Sequence, residues 1–532
     1  MEKKKAVIYS MVALIALVIL VVGATYAYFQ NQYGSASNAD VNVTTYTTDM
    51  LTFTTGNDIS LYADQSSFGQ EKGSLSGETF AKAKLVANNK TNEATDNYYV
   101  YFNIENNTFK YTLGEDKPEL ILTVTGPDGN EVTEISGLTH KVVQDRESKS
   151  ISGFDVTTTN GIITIANKKT ITATPSKEEQ YTLKLTFVNY EGDQTANASS
   201  GLSAKVMIQK EMIPFHETCN DNTLACHTAK LYTGTQGENS IYYHDAELTN
   251  GAGDNSYRYA GASDQVNNYV CFGSTTTPCP EDNLYRIIGV FGDKVKLIKS
   301  DYATSTLLGA DGDYKQAYTA MCTVMGCGSS YYKGNNYTNI AAYWWNYKNN
   351  TTINTGNGSN TWSTSFLNKI NLNQNFITNI GADWANKIAI TTWKVLGDTW
   401  IETSSAKIAY QKEIGRLVTN TSNSAFEAKI GLMYISDYGF AAAPSAWTAN
   451  LNTYYGESIK NVNWMYMGLY EWTITRALRS SSYVYNVEGT GSLSTGGAGV
   501  NYAYAVRPVF NLTSSVNYVS GDGTQNSPFR VN

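Results

Sequence analysis

The sequence predicts a multidomain chain, an N-terminal all-β sandwich followed by an α+β domain, with an apolar export segment ahead of both. Three observations lead there. All nine Trp lie beyond residue 343 and all six Cys beyond residue 218, so composition alone divides the 532 residues. Before that break, apolar and polar residues alternate at the period of a half-buried strand. After it, strand-like runs are interleaved with apolar residues at helical spacing. The expected segments are 1–29 for export, 30–212 for the sandwich, 213–227 for a junction and 228–532 for the α+β domain. Charged residues are 16% of the chain and the net charge is −8. Acidic residues outnumber basic ones and the basic run is Lys3-Lys4-Lys5, so nucleic acid is not an expected partner.

Ala6 through Phe29 carry no charge and follow those three lysines, the order of a basic n-region before an apolar export segment. The run exceeds an ordinary h-region of roughly 7–15 residues and approaches the roughly 17–25 that span a bilayer. Two fates are therefore open. Thr25 and Ala27 stand at the small-residue positions for cleavage between Ala27 and Tyr28, whereas retention would make the segment a membrane anchor with its Lys end inside. The stretch Gly23-Ala24-Thr25-Tyr26-Ala27-Tyr28-Phe29 resembles the processing site of camelysin-type biofilm matrix proteins.

Residues 30–212 read as β. Tyr181, Leu183, Leu185 and Phe187 alternate with polar neighbours, so one face is buried. Asn160-Gly161 predicts a type I′ hairpin between Val156-Thr157-Thr158 and Ile162 to Ile165, and Pro127-Asp128-Gly129-Asn130 a second turn. Several short strands between such turns predict a β-sandwich, serving as a stalk or self-assembling into a fibre. His140 is expected to be structural.

In the junction, His216, Cys219, Cys226 and His227 offer ligand types that zinc takes, but not at finger spacing. An exported chain meets an oxidising environment, so a Cys219 to Cys226 disulfide is favoured, with Cys271 to Cys279 and Cys322 to Cys327 as further local pairs. Six Cys permit 15 connectivities. Loops this short limit each bridge to about 2 kcal/mol.

Further on, Leu284 to Phe291 and Lys294 to Ile298 flank Gly292-Asp293, a type II′ hairpin signal. Thr364 or Ser365 could cap a helix through Phe366, Leu367 and Ile370. Phe376, Ile377, Ile380, Trp384 and Ile388 recur at helical spacing as a core stripe. Asn349 to Thr361 reads as a solvated loop, Ile430 to Ile435 as a buried strand, and the residues from there to Asn463 as a long polar loop. Gly309-Ala310-Asp311-Gly312-Asp313 could donate oxygens to calcium but lacks the rest of an EF-hand loop, and a plain turn is favoured. No other metal or cofactor is expected.

The closing stretch carries the most information. Glu471-Trp472-Thr473, Arg479-Ser480-Ser481 and Val506-Arg507-Pro508-Val509-Phe510 resemble the segments that close formylglycine-generating-enzyme-like and other C-type-lectin-like domains, with Val506 where Phe is usual. Asp282-Asn283-Leu284-Tyr285-Arg286-Ile287-Ile288-Gly289-Val290-Phe291 resembles the opening of such a domain in bacterial surface proteins, and the resemblance covers residues 228–532. It implies a C-type-lectin-like fold. It does not imply the enzyme: that family works through late cysteines, and no Cys follows Cys327. Asp437 and Glu471 are too far apart in sequence to be read as an acid/base dyad, and no His follows His244. Glu471 is expected to tie down neighbouring backbone.

Ser481 to Asn486 and Gly496 to Tyr504 are rich in Tyr, Ser, Gly and Asn, the mixture that gives antibody paratopes rigid aromatic contact and adaptable hydrogen bonding. Tyr483, Tyr485, Asn486, Asn501, Tyr502 and Tyr504 are therefore expected to share an exposed ligand-binding face edged by Gly496 to Gly499; the alternative is a pair of edge strands with ordinary surface Tyr. The expectation is an extracellular, cell-surface or membrane-anchored adhesin that binds a glycan or protein, with a fibre or biofilm-matrix subunit as the alternative. Intact mass tests the leader: the mature chain should begin at Tyr28, and a secreted product still carrying Met1 to Ala27 would show that the segment is retained.

Overall fold

The computed structural model describes residues 48–69, 73–88, 93–219, 221–318, 339–349, 358–414, 425–497 and 502–532. The export segment, Cys322, Cys327, Asn501 and most of the 349–361 loop lie outside them. The protein is β-rich, 38% strand against 18% helix, and divides into two compact units at residues 220 and 221.

The first unit holds ten strands: β1 (Met50–Thr55), β2 (Ile59–Ala63), β3 (Leu75–Val86), β4 (Ala94–Asn107), β5 (Leu120–Thr125), β6 (His140–Gln144), β7 (Ser150–Asp155), β8 (Gly161–Ala173), β9 (Ser176–Phe187) and β10 (Ser200–Gln209). They form a six-stranded sheet, β1-β3-β9-β5-β7-β6, and a four-stranded sheet, β2-β10-β4-β8. Both sheets feed one apolar core, with Leu122, Phe154 and Leu183 from the first and Phe102, Ile171 and Leu202 from the second, the arrangement of a β-sandwich. Tyr181, Leu183, Leu185 and Phe187 all face inward. The turn at Pro127 is present, with Gly126 and Asn130 closing it backbone to backbone at 2.8 Å. The Asn160-Gly161 expectation is corrected. β7 pairs with β5 and β6, whereas β8 pairs with β4 in the other sheet, so this turn is a crossover between layers and no hairpin forms. A local turn signal reports that the chain reverses; it does not report which strand is the partner.

The second unit is built on a nine-stranded mixed sheet. Its centre is the pair Leu284–Phe291 and Lys294–Lys299, joined through Gly292, whose φ of +64° suits the tight reversal read from Gly292-Asp293. Lys294–Lys299 pairs onward with Val509–Asn511, and Leu284–Phe291 with Tyr269–Cys271, which lies parallel to Phe529–Val531. Helical turns at Leu367–Phe376, Ile377–Ile380 and Ala382–Ala385 bury Phe376 and Ile380. Ser365 Oγ accepts from Asn368 N at 3.2 Å in the manner of a cap.

The reading of residues 430–463 is corrected. The strand covers only Ile430–Gly431, and Ile435–Ala441 is a helix buried along its whole length. That helix carries Asp437 into the interior, where Lys296 Nζ pairs with one carboxylate oxygen and Arg258 Nη1 stands 3.6 Å from the other. The polar residue that makes the segment look like a surface loop is neutralised by cations more than a hundred residues away.

Five of the largest fully buried side chains are Trp345, Trp393, Trp447, Trp464 and Trp472. Beside Trp472, Arg507 and Glu471 form a bidentate pair, Nε to Oε1 at 2.7 Å and Nη2 to Oε2 at 2.8 Å, with both residues buried. Glu471 thus binds a side chain, not the backbone its sequence context suggests. Glu471→Ala should cost about 3–5 kcal/mol in urea denaturation, because it leaves a buried guanidinium unpaired. Glu471→Leu with Arg507→Met should recover much of that loss; if the double variant is less stable than the single one, the loss is one of packing and not of an unpaired charge.

Candidate functional site

Three antiparallel strands, Glu471–Arg476, Tyr483–Val487 and Leu493–Gly497, form a small sheet. The register shifts between Trp472 and Arg476, and such an irregularity turns the end of a strand away from its ladder. The link from Ala477 to Ser482 is held from outside. Asn360 Nδ2 donates to Ala477 O at 3.1 Å, Ser480 O at 2.8 Å and Tyr483 O at 2.9 Å, while Asn360 N donates to Ser481 O at 2.7 Å. Leu478 N donates to Asp398 O at 3.2 Å, which brings the 398–403 segment alongside.

At this junction a group of large side chains reaches solvent. Trp400 is 56% exposed, Leu478 53% and Tyr483 40%. The Arg479 guanidinium lies 4.4 Å from the Trp400 ring centre and 6.0 Å from that of Tyr483. Arg479 is itself fixed, Nη1 donating to Glu402 Oε1 at 2.8 Å and Nη2 to Thr495 Oγ1. The other oxygen of Glu402 accepts from Tyr485 Oη at 2.8 Å. A buried tyrosine thus holds a carboxylate, the carboxylate holds an arginine, and the arginine holds two exposed rings.

The expected face is corrected in its membership. Tyr483 and Tyr502 are exposed, but Tyr485, Asn486 and Tyr504 are buried, and Asn501 lies outside the described residues. Tyr485 points inward because its hydroxyl also accepts from Ile401 N at 3.1 Å, and burial pushes its pKa up. Tyr504 packs against Trp472 with ring centres 4.4 Å apart, and Tyr502 leans on Tyr504 at 5.9 Å, apart from the Arg479 group. Gly496 completes this packing, since a Cβ there would stand 3.2 Å from the Tyr504 ring. Sequence reasoning missed Trp400 and Leu478. Trp400 comes after the polar turn Gly397-Asp398-Thr399, and no local pattern ties it to residues some eighty positions later.

The metal candidates take other roles. Cys219 and Cys226 are disulfide-bonded, so neither offers a thiolate to zinc, and Cys271 is bridged to Cys279. His227 stacks on Tyr518 at 3.6 Å, and burial lowers its pKa. Asp313 is buried and accepts from Lys348 N at 2.9 Å, Leu367 N at 3.0 Å and Tyr347 N at 3.3 Å; Asp311 Oδ1 accepts from Asn375 Nδ2 at 2.7 Å. The loop read as a possible calcium donor thus spends these carboxylates on its own chain. Among the described residues no group of three or more His, Cys, Asp or Glu is placed to hold a metal.

Two carboxyls with displaced pKa values lie inside the packing. Asp254 sits at about 2: burial works against its charge, but Arg258 and the Ser256 hydroxyl hold it ionised. Glu413 is fully buried and raised to about 7 by burial, although Ile435 N and Ser436 N each donate to it at 3.0 Å and Thr475 Oγ1 donates as well. No protein-family model matches the chain, and no characterised protein matches it in sequence.

Glu413 yields a pH prediction. Its folded pKa lies above the ordinary 4.5, so the fold favours the protonated carboxyl. That contribution is complete below about pH 4.5 and is lost as pH rises through about 7. Glu413→Gln keeps the shape without the titration, so its urea midpoint should fall less than the wild type's between about pH 4.5 and 8. Parallel pH profiles would show that Glu413 does not titrate in that window.

Proposed function

We propose that the chain is an exported surface recognition protein whose C-terminal unit is C-type-lectin-like and binds an extracellular glycan or protein. The observation that carries this reading is the group Trp400, Leu478 and Tyr483 around Arg479. Exposed aromatic side chains are costly to leave in water, and Trp400 and Tyr483 stand against Arg479, which the buried Glu402 and Tyr485 hold in place. A rigid aromatic patch loses little conformational entropy on binding. The lectin-like assignment draws support from the Glu471–Arg507 pair, which joins the Glu-Trp-Thr and Arg-Pro segments that carry the resemblance. The disulfides favour an oxidising, extracellular setting. A binding role is favoured over an enzymatic one because Asp254 and Glu413, displaced in opposite directions, are both buried among structural partners.

An array of glycans and host proteins probed with the full chain tests this. Trp400→Ala and Tyr483→Ala should each weaken the best hit about thirtyfold, the effect of losing an anchor of about 2 kcal/mol. Their melting points should barely move, since exposed substitutions stay within about 0.5 kcal/mol. Tyr485→Ala should instead unfold the unit more readily, as a large-to-small change in the interior. Stable Trp400 and Tyr483 variants that bind as the wild type does would remove this patch as the site.

A further inference from the structure

The Ala477–Ser482 link has a second end. Just before it, Arg476 lines a small open cleft together with Asn360, Trp362, Ser363, Val395 and Phe426. No carboxylate belongs to that lining. Every other described arginine has acceptors: Arg258, Arg479 and Arg507 bind carboxylates, and Arg146, Arg286 and Arg530 donate to carbonyl or amide oxygens. Arg476 Nε is buried without a hydrogen-bond partner, as Arg146 Nε also is, but Arg146 donates from Nη2 to Tyr190 O, and beside Arg476 the Nε1 of Trp362 in the same lining is unpartnered too. Buried donors are nearly always paired in folded proteins, so two orphans in one cleft ask for an acceptor that the described chain does not supply. The position is built: Gly397 lets the backbone pass so close that a Cβ there would stand 1.7 Å from Arg476 O.

We infer that this cleft is an anion subsite in which Arg476 receives a carboxylate of the ligand. The planar guanidinium fork matches a carboxylate in two parallel hydrogen bonds. Only the carboxylate itself need enter the cleft, and the rest of a ligand could run along the link toward Trp400. Burial without a counter-ion also lowers the Arg476 pKa, so an incoming anion relieves a cost that the fold otherwise carries. The inference rests on the recognition reading only for that longer path; the subsite itself is testable alone.

The carboxylate could belong to an acidic sugar or to a peptide terminus, so two probes are titrated calorimetrically into the full chain: glucuronate, with glucose as its neutral control, and N-acetylglycine, with N-acetylglycinamide. One acid should bind and its control should not, with binding weakening as salt rises. Arg476→Met should lower affinity at least tenfold and Arg476→Lys by less, while the melting point of Arg476→Met should hold or rise. If neither acid binds, or if both variants bind like the wild type, the subsite does not exist. If Arg476→Met unfolds readily, Arg476 serves the fold and the inference fails. Acid binding that depends on Arg476, alongside array hits indifferent to Trp400→Ala, would leave the subsite standing and overturn the aromatic patch.

Discussion

The buried pair between Arg507 and Glu471 is the constraint on which the presenting end of the C-terminal unit depends. Arg507 also donates from Nη2 to Met465 O at 2.8 Å, so one guanidinium joins the 465–467 segment, the start of the Glu471–Arg476 strand and the approach to Val509–Asn511. Such a pair adds little net stability, because taking both charges out of water offsets most of their attraction. Its influence falls on the alternatives. Any arrangement that separates the two leaves a charge buried and unpaired at a cost of about 3–5 kcal/mol, which selects the one register in which Glu471 also bridges Ala505. Trp472 then packs against Tyr504 and donates from Nε1 to Tyr343 O at 2.8 Å, and the small sheet has a fixed base.

From that base the strand runs roughly 17 Å to Arg476, at the usual rise per residue. Beyond Arg476 the backbone is irregular, and its shape comes from Asn360. One side-chain amide donates to three carbonyls of the 477–483 link, doing for a loop what a ladder does for a strand. This explains how a segment without regular structure can present Leu478 and Tyr483 in a defined way. Rigidity there comes from hydrogen bonds donated by a residue more than a hundred positions earlier.

The same long reach separates what was legible in the sequence from what was not. Local periodicity reported the inward face of Tyr181 to Phe187 and the reversal at Gly292, because both are properties of neighbouring residues. It failed at Asn160-Gly161, where the turn is real but the strands on either side join different sheets. It failed again at Ile435–Ala441, where Asp437 looks solvated until Lys296 and Arg258 are brought to it. At the candidate site, composition found the Tyr-rich strands but could not tell Tyr483 from Tyr485. Inward or outward orientation was settled by Glu402 and Ile401, far away in sequence. Trp400 was invisible for the same reason.

The arginines make a consistent physical argument when taken together. A guanidinium keeps its charge inside a protein, so each buried one must be matched by acceptors or left as a standing cost. Arg258, Arg286, Arg479 and Arg507 are matched, and each match ties together segments distant in the chain. Arg476 sits at the far end of the strand that Arg507 anchors, half-buried in a cleft with no carboxylate. A fold that gives every other described arginine at least one acceptor has the means to give this one an acceptor, and a neutral side chain there would remove the cost. Local departures of this kind from an otherwise self-consistent structure concentrate at positions used for something besides folding.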